Sequence, residues 1–382
     1  MTTNTQNAHS EKKLYVALEL SNQAWKLALG DGQQKRQVQV VARDQVRFWK
    51  EVAKAKAKFK LPEDTPVYSC YEAGRDGFWI HRMLKAGGVA NLVVDPASIE
   101  INRRARRTKT DRLDADKLLA MLLRYWVYGE KKTWSVVRVP EAEDEARRRL
   151  HRSAERMKKE KVGHICRLRA LLALHGVAVK RWPSSWRALR DWQGQPLPAE
   201  LVAELEQEQE RLDLVKKQLG DVEGRRKERV QAVVGTGQGK PGPVSASEQW
   251  TEKLSHLHGL GAETAWTLSH EFFGWRDFKN RREVGAASGL VGSPYNSGDS
   301  RHEQGISKAG NARVRHLMTE LAWRWLRFQP ESALSKWYQA RFGGGTGRMR
   351  RIGIVALARK LLVALWKYGA QGQLPEGAVA RA

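Results

Sequence analysis

The sequence is short of cysteine, short of carboxylate and free of long apolar runs. Its two cysteines, Cys70 and Cys166, stand far apart with no C-x-x-C pair and no Cys/His cluster. That excludes a disulfide framework, gives no zinc signature and fits a reducing compartment. No stretch of 18 uncharged apolar residues occurs, and the most apolar segment, IGIVALARKLLVALWKY, is broken by Arg359 and Lys360. It reads as an amphipathic or packed helix rather than a membrane span. The opening MTTNTQNAHSEKK is polar and lacks the apolar core of an export signal, so residues 1–13 are expected to be disordered and the protein cytoplasmic, without a membrane partner. Acids are outnumbered: 42 Asp+Glu face 68 Lys+Arg, a formal charge of +26 over 382 residues. An excess of this size points to a polyanion, nucleic acid first, and the length allows two or three domains.

What is present divides the chain. From residue 14 come short apolar runs, LYVALEL, WKLALG and RQVQVV, with the turn-forming GDG before the third, which predicts a three-stranded meander. A helix over about 43–60, a strand VYSCYEA, a helix over about 77–87 and a strand ANLVVDP follow. Hairpins that give way to alternating strands and helices imply an α/β layer domain with a mixed sheet, residues 14–140. Residues 141–233 form a helical arm: a long basic helix, a WPSSW break, then a second helix from about 198. Leu201, Leu205, Leu212, Val215, Leu219 and Val222 recur there at spacings of three, four and seven. A hairpin within the chain and a coiled coil between chains both satisfy that spacing. A Gly/Pro-rich linker, 234–250, precedes a mostly α-helical C-terminal domain, 251–382. Its LSHLHGLGAETA matches a helix-hairpin-helix, whose glycine turn either offers N–H groups to DNA phosphate or simply packs. Of the 15 tryptophans, Trp323, Trp325 and Trp366 have apolar helical neighbours and are expected in the core.

Against this basic background, the carboxylates that do occur are informative. In KTDRLDADKLLAMLL a helix begins near Asp111, and Asp111 and Asp114, three residues apart, share a face. Their repulsion is relieved either by a divalent metal or by solvent and the flanking bases. Glu19 and Glu72 each end an apolar strand. In an RNase H-like sheet the first and fourth strands are neighbours, and a helix crossing that edge brings its acids to the same place. Four oxygen donors there would suit two Mg²⁺ (or Mn²⁺) that polarise a phosphodiester. Arg103, Arg104, Arg106, Arg107, Lys109 and Arg112 would then grip phosphate. A second concentration, GLVGSPYNSGDSRHEQGISKAGNARVRHLM, sets Ser297 in a loop with Arg301, Lys308, Asn311, Arg313 and Arg315 around or after it. Ser297 is by default a turn residue; as a nucleophile it would need a proton acceptor and cations, and His302 is the nearby titratable group.

The elements YEAG, NRRARRTKTDRLDADKLL, HGLGAETA, AASGLVGSPYNSGDSRHEQGISKAGNARVRHLM and LARKLLVALW resemble, in kind and order, the insertion-sequence one-ten family of DEDD transposases, in its eleven-eleven subgroup. The resemblance implies a RuvC-like N-terminal domain, a coiled-coil arm and a serine domain. It implies Glu19, Glu72, Asp111 and Asp114 as a metal-binding tetrad and Ser297 as a nucleophile that forms a transient phosphoserine bond with DNA, with Lys308, Gly310, Asn311 and Arg315 in the surrounding motif. It further implies donor and target DNA as partners, a structured guide RNA, and dimers pairing into a tetramer that draw the acids and the serine from different protomers. In the family the first acid is normally Asp. Glu19 carries an extra methylene, which displaces the carboxylate by roughly one bond length, about 1.5 Å, where Mg²⁺ tolerates little error. The expectation is an active enzyme with a site that is shifted, weakened or short of one metal, with a water-using RuvC-type nuclease and a non-catalytic nucleic-acid-binding protein as the competing readings.

Overall fold

The computed structural model describes residues 12–99, 111–235, 245–297 and 300–381. The expectations placed on residues 1–11, on Arg103, Arg104, Arg106, Arg107 and Lys109, and on most of the linker lie outside the described residues. The chain divides into two compact units, Met1–Val139 and Pro140–Ala382.

In the first unit, β1 (Leu14–Leu20), β2 (Ala24–Gly30) and β3 (Lys35–Val41) form the antiparallel meander, followed by α1 (Gln45–Lys58), β4 (Val67–Glu72), α2 (Trp79–Ala86), β5 (Ala90–Val94) and α3 (Asp111–Trp126). The sheet order is β3-β2-β1-β4-β5, with β4 parallel to both β1 and β5. The Asp31 carboxylate accepts from the backbone N–H groups of Gln33 and Gln34 at 2.8 and 2.7 Å, closing the turn that begins β3. β1 is buried on both faces because each has its own core. Leu14, Val16 and Leu18 face Phe48, Val52 and Ile80, while Tyr15 and Ala17 face Ala115, Leu118, Leu119 and Leu122 of α3. Each fully buried leucine contributes about 2 kcal/mol, so a one-residue slip of β1 would exchange two apolar sets of different size and is strongly opposed.

In the second unit, α4 (Ala142–Arg147) and α5 (Arg149–Ala173) precede α6 (Ala199–Val234), a helix of 36 residues. The leucine and valine stripe of α6 is buried within the chain. Leu201, Leu205 and Leu212 pack on Leu168 and Leu172 of α5, and Leu219 and Val222 on Ala154 and its neighbours, so the stripe forms a helical hairpin. Beyond it lie α7 (Ala246–Ser255), α8 (Ala262–Leu268), α9 (Arg281–Ser288), the β6 (Gly292–Ser297) and β7 (Ser300–Ile306) hairpin, α10 (Ala312–Phe328), α11 (Ala333–Tyr338) and α12 (Gly347–Gln371). Their core gathers Phe272, Phe273, Met318, Trp325, Leu361 and Leu365. Trp325 and Trp366 are buried, but Trp323 is 49% exposed. On α10 the inward face is Val314, Met318, Leu321, Ala322 and Trp325, and Trp323 falls outside it, since adjacent helical residues diverge by about 100°. The glycine turn between α7 and α8 is held by packing. Gly259 has φ +83°, and a Cβ there would meet Phe328 at 2.7 Å, while Gln329 and Arg381 donate to the carbonyls of His258 and Leu260.

Candidate active site

The parallel register pairs Leu18 with Tyr71, so the next residues, Glu19 and Glu72, stand side by side at the carboxyl ends of β1 and β4. Alternation along each strand puts Glu19 on the face of Tyr15 and Ala17, and Glu72 on the face of Tyr68 and Cys70, which is the face that α3 covers. Glu19 is half-buried and Glu72 exposed. Lys26 lies across from Glu19 in the antiparallel pair.

Helix α3 runs against the direction of β4. Its last residue, Trp126, meets the Tyr68 ring at 4.7 Å, and the carbonyl of Leu118 accepts from the Cys70 thiol at 3.8 Å. The start of the helix, with Asp111, Arg112 and half-buried Asp114, is therefore directed toward the end of the sheet that bears Glu19 and Glu72. A first helical turn favours negative charge. Farther along α3, Asp116 is engaged by Lys35 at 3.0 Å. The carboxylates are hard oxygen donors of the kind magnesium takes. Among the described residues no three His, Cys, Asp or Glu side chains close into a metal-holding group; the Asp111 side chain lies outside them.

Sequence patterning put Ser297 in a loop, whereas it is the last residue of β6, opposite Ser300 of β7. The glycine and polar content of the segment suggested irregular backbone. Only Gly298 and Asp299 separate the strands, however, and a two-residue connection favours a hairpin. The root of the hairpin is clamped by backbone. Ser307 N–H donates to Val291 O at 2.8 Å, Lys308 N–H to Gly289 O at 3.2 Å and Asn311 N–H to Ala287 O at 3.1 Å. Two glycines permit this approach: Gly289 (φ +69°) and Gly310 (φ +101°), where any Cβ would collide with the carbonyls of Ala309 and Ala287. Arg315 donates to Ser288 O at 3.1 Å, Arg313 pairs with Glu155 at 2.6 Å, and Asn311 caps α10 by accepting from Arg313 and Val314 N–H. Lys308, at φ +56°, is exposed. The side chains of Arg112, Ser297, Arg301 and His302 lie outside the described residues.

Comparison with known proteins bears on what this arrangement serves. Residues 251–338 match the model of the transposase IS116/IS110/IS902 family. The chain is 39% identical over 377 residues to "Putative transposase y4rJ" of Sinorhizobium fredii, covering 96% of this chain and 94% of that one. The chain belongs to the IS116/IS110/IS902 transposase family. It is also 29% identical to "Putative transposase y4qE" of the same organism, over 77% of this chain and 69% of that one. A third likeness is to the transposase for insertion sequence element IS1328 of Yersinia enterocolitica, at 28% identity over 33% of this chain and 38% of that one. Among the described residues no helix is long and apolar enough to cross a membrane.

A cluster that sequence reasoning missed joins Glu271 and Asn311, both within the matched part, to His151 and Arg152 of α5. Glu271 is fully buried. It accepts from Arg152 Nε and Nη2 at 2.6 and 2.8 Å, from His151 Nε2 at 2.7 Å and from Asn311 Nδ2 at 3.2 Å. Burial alone would raise its pKa, but the bonds from Arg152 and His151 outweigh that and hold it far below the usual carboxylate range. Next to it, burial holds His270 neutral, with its pKa lowered to about 4, and lowers Arg276 to about 9. The sequence signal is slight: Glu271 directly precedes the apolar pair Phe272 and Phe273 in LSHEFFGW. Through Asn311 this carboxylate ties the arm helix α5 to the residue that both ends the hairpin clamp and caps α10.

Proposed function

We propose that the chain is a DNA transposase that cuts and rejoins strands with two sets of groups, the carboxylates Glu19, Glu72, Asp111 and Asp114 and the hydroxyl of Ser297. The observation that carries the first set is the register of β1 against β4. It makes Glu19 and Glu72 neighbours at the sheet end toward which the first turn of α3 is directed. This strand order is also the one an RNase H-like, RuvC-like domain requires, with the α5–α6 hairpin as the arm. Magnesium held by these oxygens would polarise the scissile phosphate and stabilise charge on the attacking and leaving oxygens.

Support for Ser297 is positional. It ends a strand whose root is fixed by three backbone hydrogen bonds and two glycines. Attack of its Oγ on phosphorus forms a P–O bond as the bond to the leaving sugar oxygen breaks; the serine proton leaves and the sugar oxygen takes one up. The +26 charge supports large polyanionic partners, which in this reading are donor and target DNA and a structured guide RNA; the acids and the serine would come from different protomers of paired dimers.

The test is a denaturing gel of labelled DNA, with and without Mg²⁺, before and after protease digestion. A protease-sensitive covalent adduct is expected for the unaltered protein, lost in Ser297→Ala and in Asp114→Asn. An undiminished adduct in Ser297→Ala removes that residue from the mechanism. Cleavage kept in Ser297→Ala but lost in Asp114→Asn would make the chain a water-using nuclease.

A further inference from the structure

A groove of about 860 Å³ opens between α9 and α12. Five cations rim it, Arg281 and Arg282 from the first turn of α9 and Arg359, Lys360 and Lys367 from α12, and all five are exposed. No ion pair between described residues engages any of them. Its floor is apolar, with Val363 of α12, Leu334 of α11 and Val291 at the root of the β6–β7 hairpin. The α12 positions follow helical spacing: 359, 360, 363, 364 and 367 line one outer face, while Leu357, Leu361, Leu362 and Leu365 point into the core. Lys360 lies over the Trp337 ring at 4.6 Å, which steadies its ammonium at the rim.

We infer that this groove binds single-stranded nucleic acid, its cations on successive phosphates and its apolar floor against an unstacked base. Three quantities favour this occupant. The volume is near the upper end of small-ligand pockets, roughly 300–1,000 Å³, and far exceeds one phosphate. Lys360 and Lys367 are seven helical residues apart, about 10 Å at 1.5 Å per residue, roughly three times the ~3.4 Å axial spacing of phosphates along one strand of a duplex. A duplex, which shows phosphate outward with its bases paired inside, would satisfy the rim and leave the floor uncovered, whereas an unpaired base offers an apolar face. Val291 stands six residues before Ser297, about 20 Å along a strand, so a strand lying in the groove would continue toward the hairpin tip within a few nucleotides. The choice of occupant rests on the chain being a DNA-processing transposase; the groove itself does not depend on the role of Ser297.

The test uses the full chain and fluorescent 12-mers, as single-stranded DNA, single-stranded RNA and duplex DNA, with binding followed by anisotropy across a salt series and no cleavage involved. Replacing Arg359, Lys360 and Lys367 together by Gln alters only exposed side chains, so unchanged thermal melting is the folding control. Each neutralised phosphate contributes roughly 0.7 to the salt slope for a single strand. The triple variant is therefore expected to bind single strands with a slope shallower by about 2 and on the order of 100-fold more weakly at 0.1 M salt, with a smaller change on duplex. A stronger effect on DNA or on RNA tells which strand fills the groove. An unchanged slope, or an equal loss on duplex, overturns the inference. In a second measurement, an oligonucleotide carrying a photoreactive base should crosslink within residues 281–291 or 359–367; crosslinks confined to other segments overturn it independently of any variant. Ser297 adduct formation and groove binding thus fail separately.

Discussion

Glu271→Gln is the sharpest probe of how the hairpin-bearing unit is held together. The substitution keeps shape and volume and removes one negative charge from a side chain that is fully buried. Four donated hydrogen bonds converge on that carboxylate, two of them a bidentate pair from Arg152. The amide offers one acceptor oxygen, so at least one donor then faces an NH₂ group, and the guanidinium loses its counter-ion. Removing one partner of a buried pair costs about 3–5 kcal/mol. Because the Arg152 side chain is 40% exposed, water can rehydrate it, and the lower end, about 3 kcal/mol, is expected. For a unit of this size each kcal/mol moves the melting temperature by roughly 2–4 °C, so calorimetry at pH 7 should record a drop of about 6–12 °C. A companion Arg152→Gln and the double variant complete a cycle; coupling requires the double variant to lose much less than the sum of the singles. A drop below about 2 °C, or strictly additive losses, would refute the idea that the carboxylate is a hub.

Three further outcomes follow from the same geometry. If Glu19 holds magnesium as proposed, Glu19→Asp should change the Mg²⁺-dependent cleavage rate by on the order of tenfold or more, because removing one methylene would displace the carboxylate by more than an ångström; an unaltered rate over a Mg²⁺ titration would exclude Glu19 from the site. Gly310→Ala, at φ +101° against the Ala287 carbonyl, should cost at least about 3 kcal/mol and abolish the adduct proposed at Ser297, measurable by melting and by the protease-sensitive gel shift. His270 has a folded pKa of about 4, lowered first by burial and also by His151 and Arg147, against about 6.5 unfolded. The unfolded chain therefore takes up the proton first, and stability should fall as pH drops from about 6.5 toward 4, by up to about 3 kcal/mol. Below that, in the window under the ordinary carboxylate pKa, Glu271 adds its own loss. Flat stability between pH 7 and 5 would contradict the neutral, buried imidazole.

Several elements were readable in type, as strand or helix, though not in what they pack against. The meander with its GDG turn, the leucine stripe of α6 and the broken apolar helix α12 each carry a periodicity that only one kind of element buries. The same patterning failed at Ser297, where polar and glycine content outweighed the two-residue spacing that favours a hairpin, and at Trp323, where adjacent helical positions face opposite environments. It also passed over Glu271, whose partners lie about 40 and 120 positions away along the chain.

The sequence by itself determined the charge, the succession of strands and helices, and which residues are chemically able to hold metal or phosphate, because these depend on composition and on contacts within a few residues. Only the tertiary structure decided that Glu19 stands beside Glu72, that the α6 stripe turns inward on α5, and that five bases from two distant helices line one groove. Those are facts of register and of long-range packing. They are set by which apolar faces can be buried together, and no local spacing encodes them.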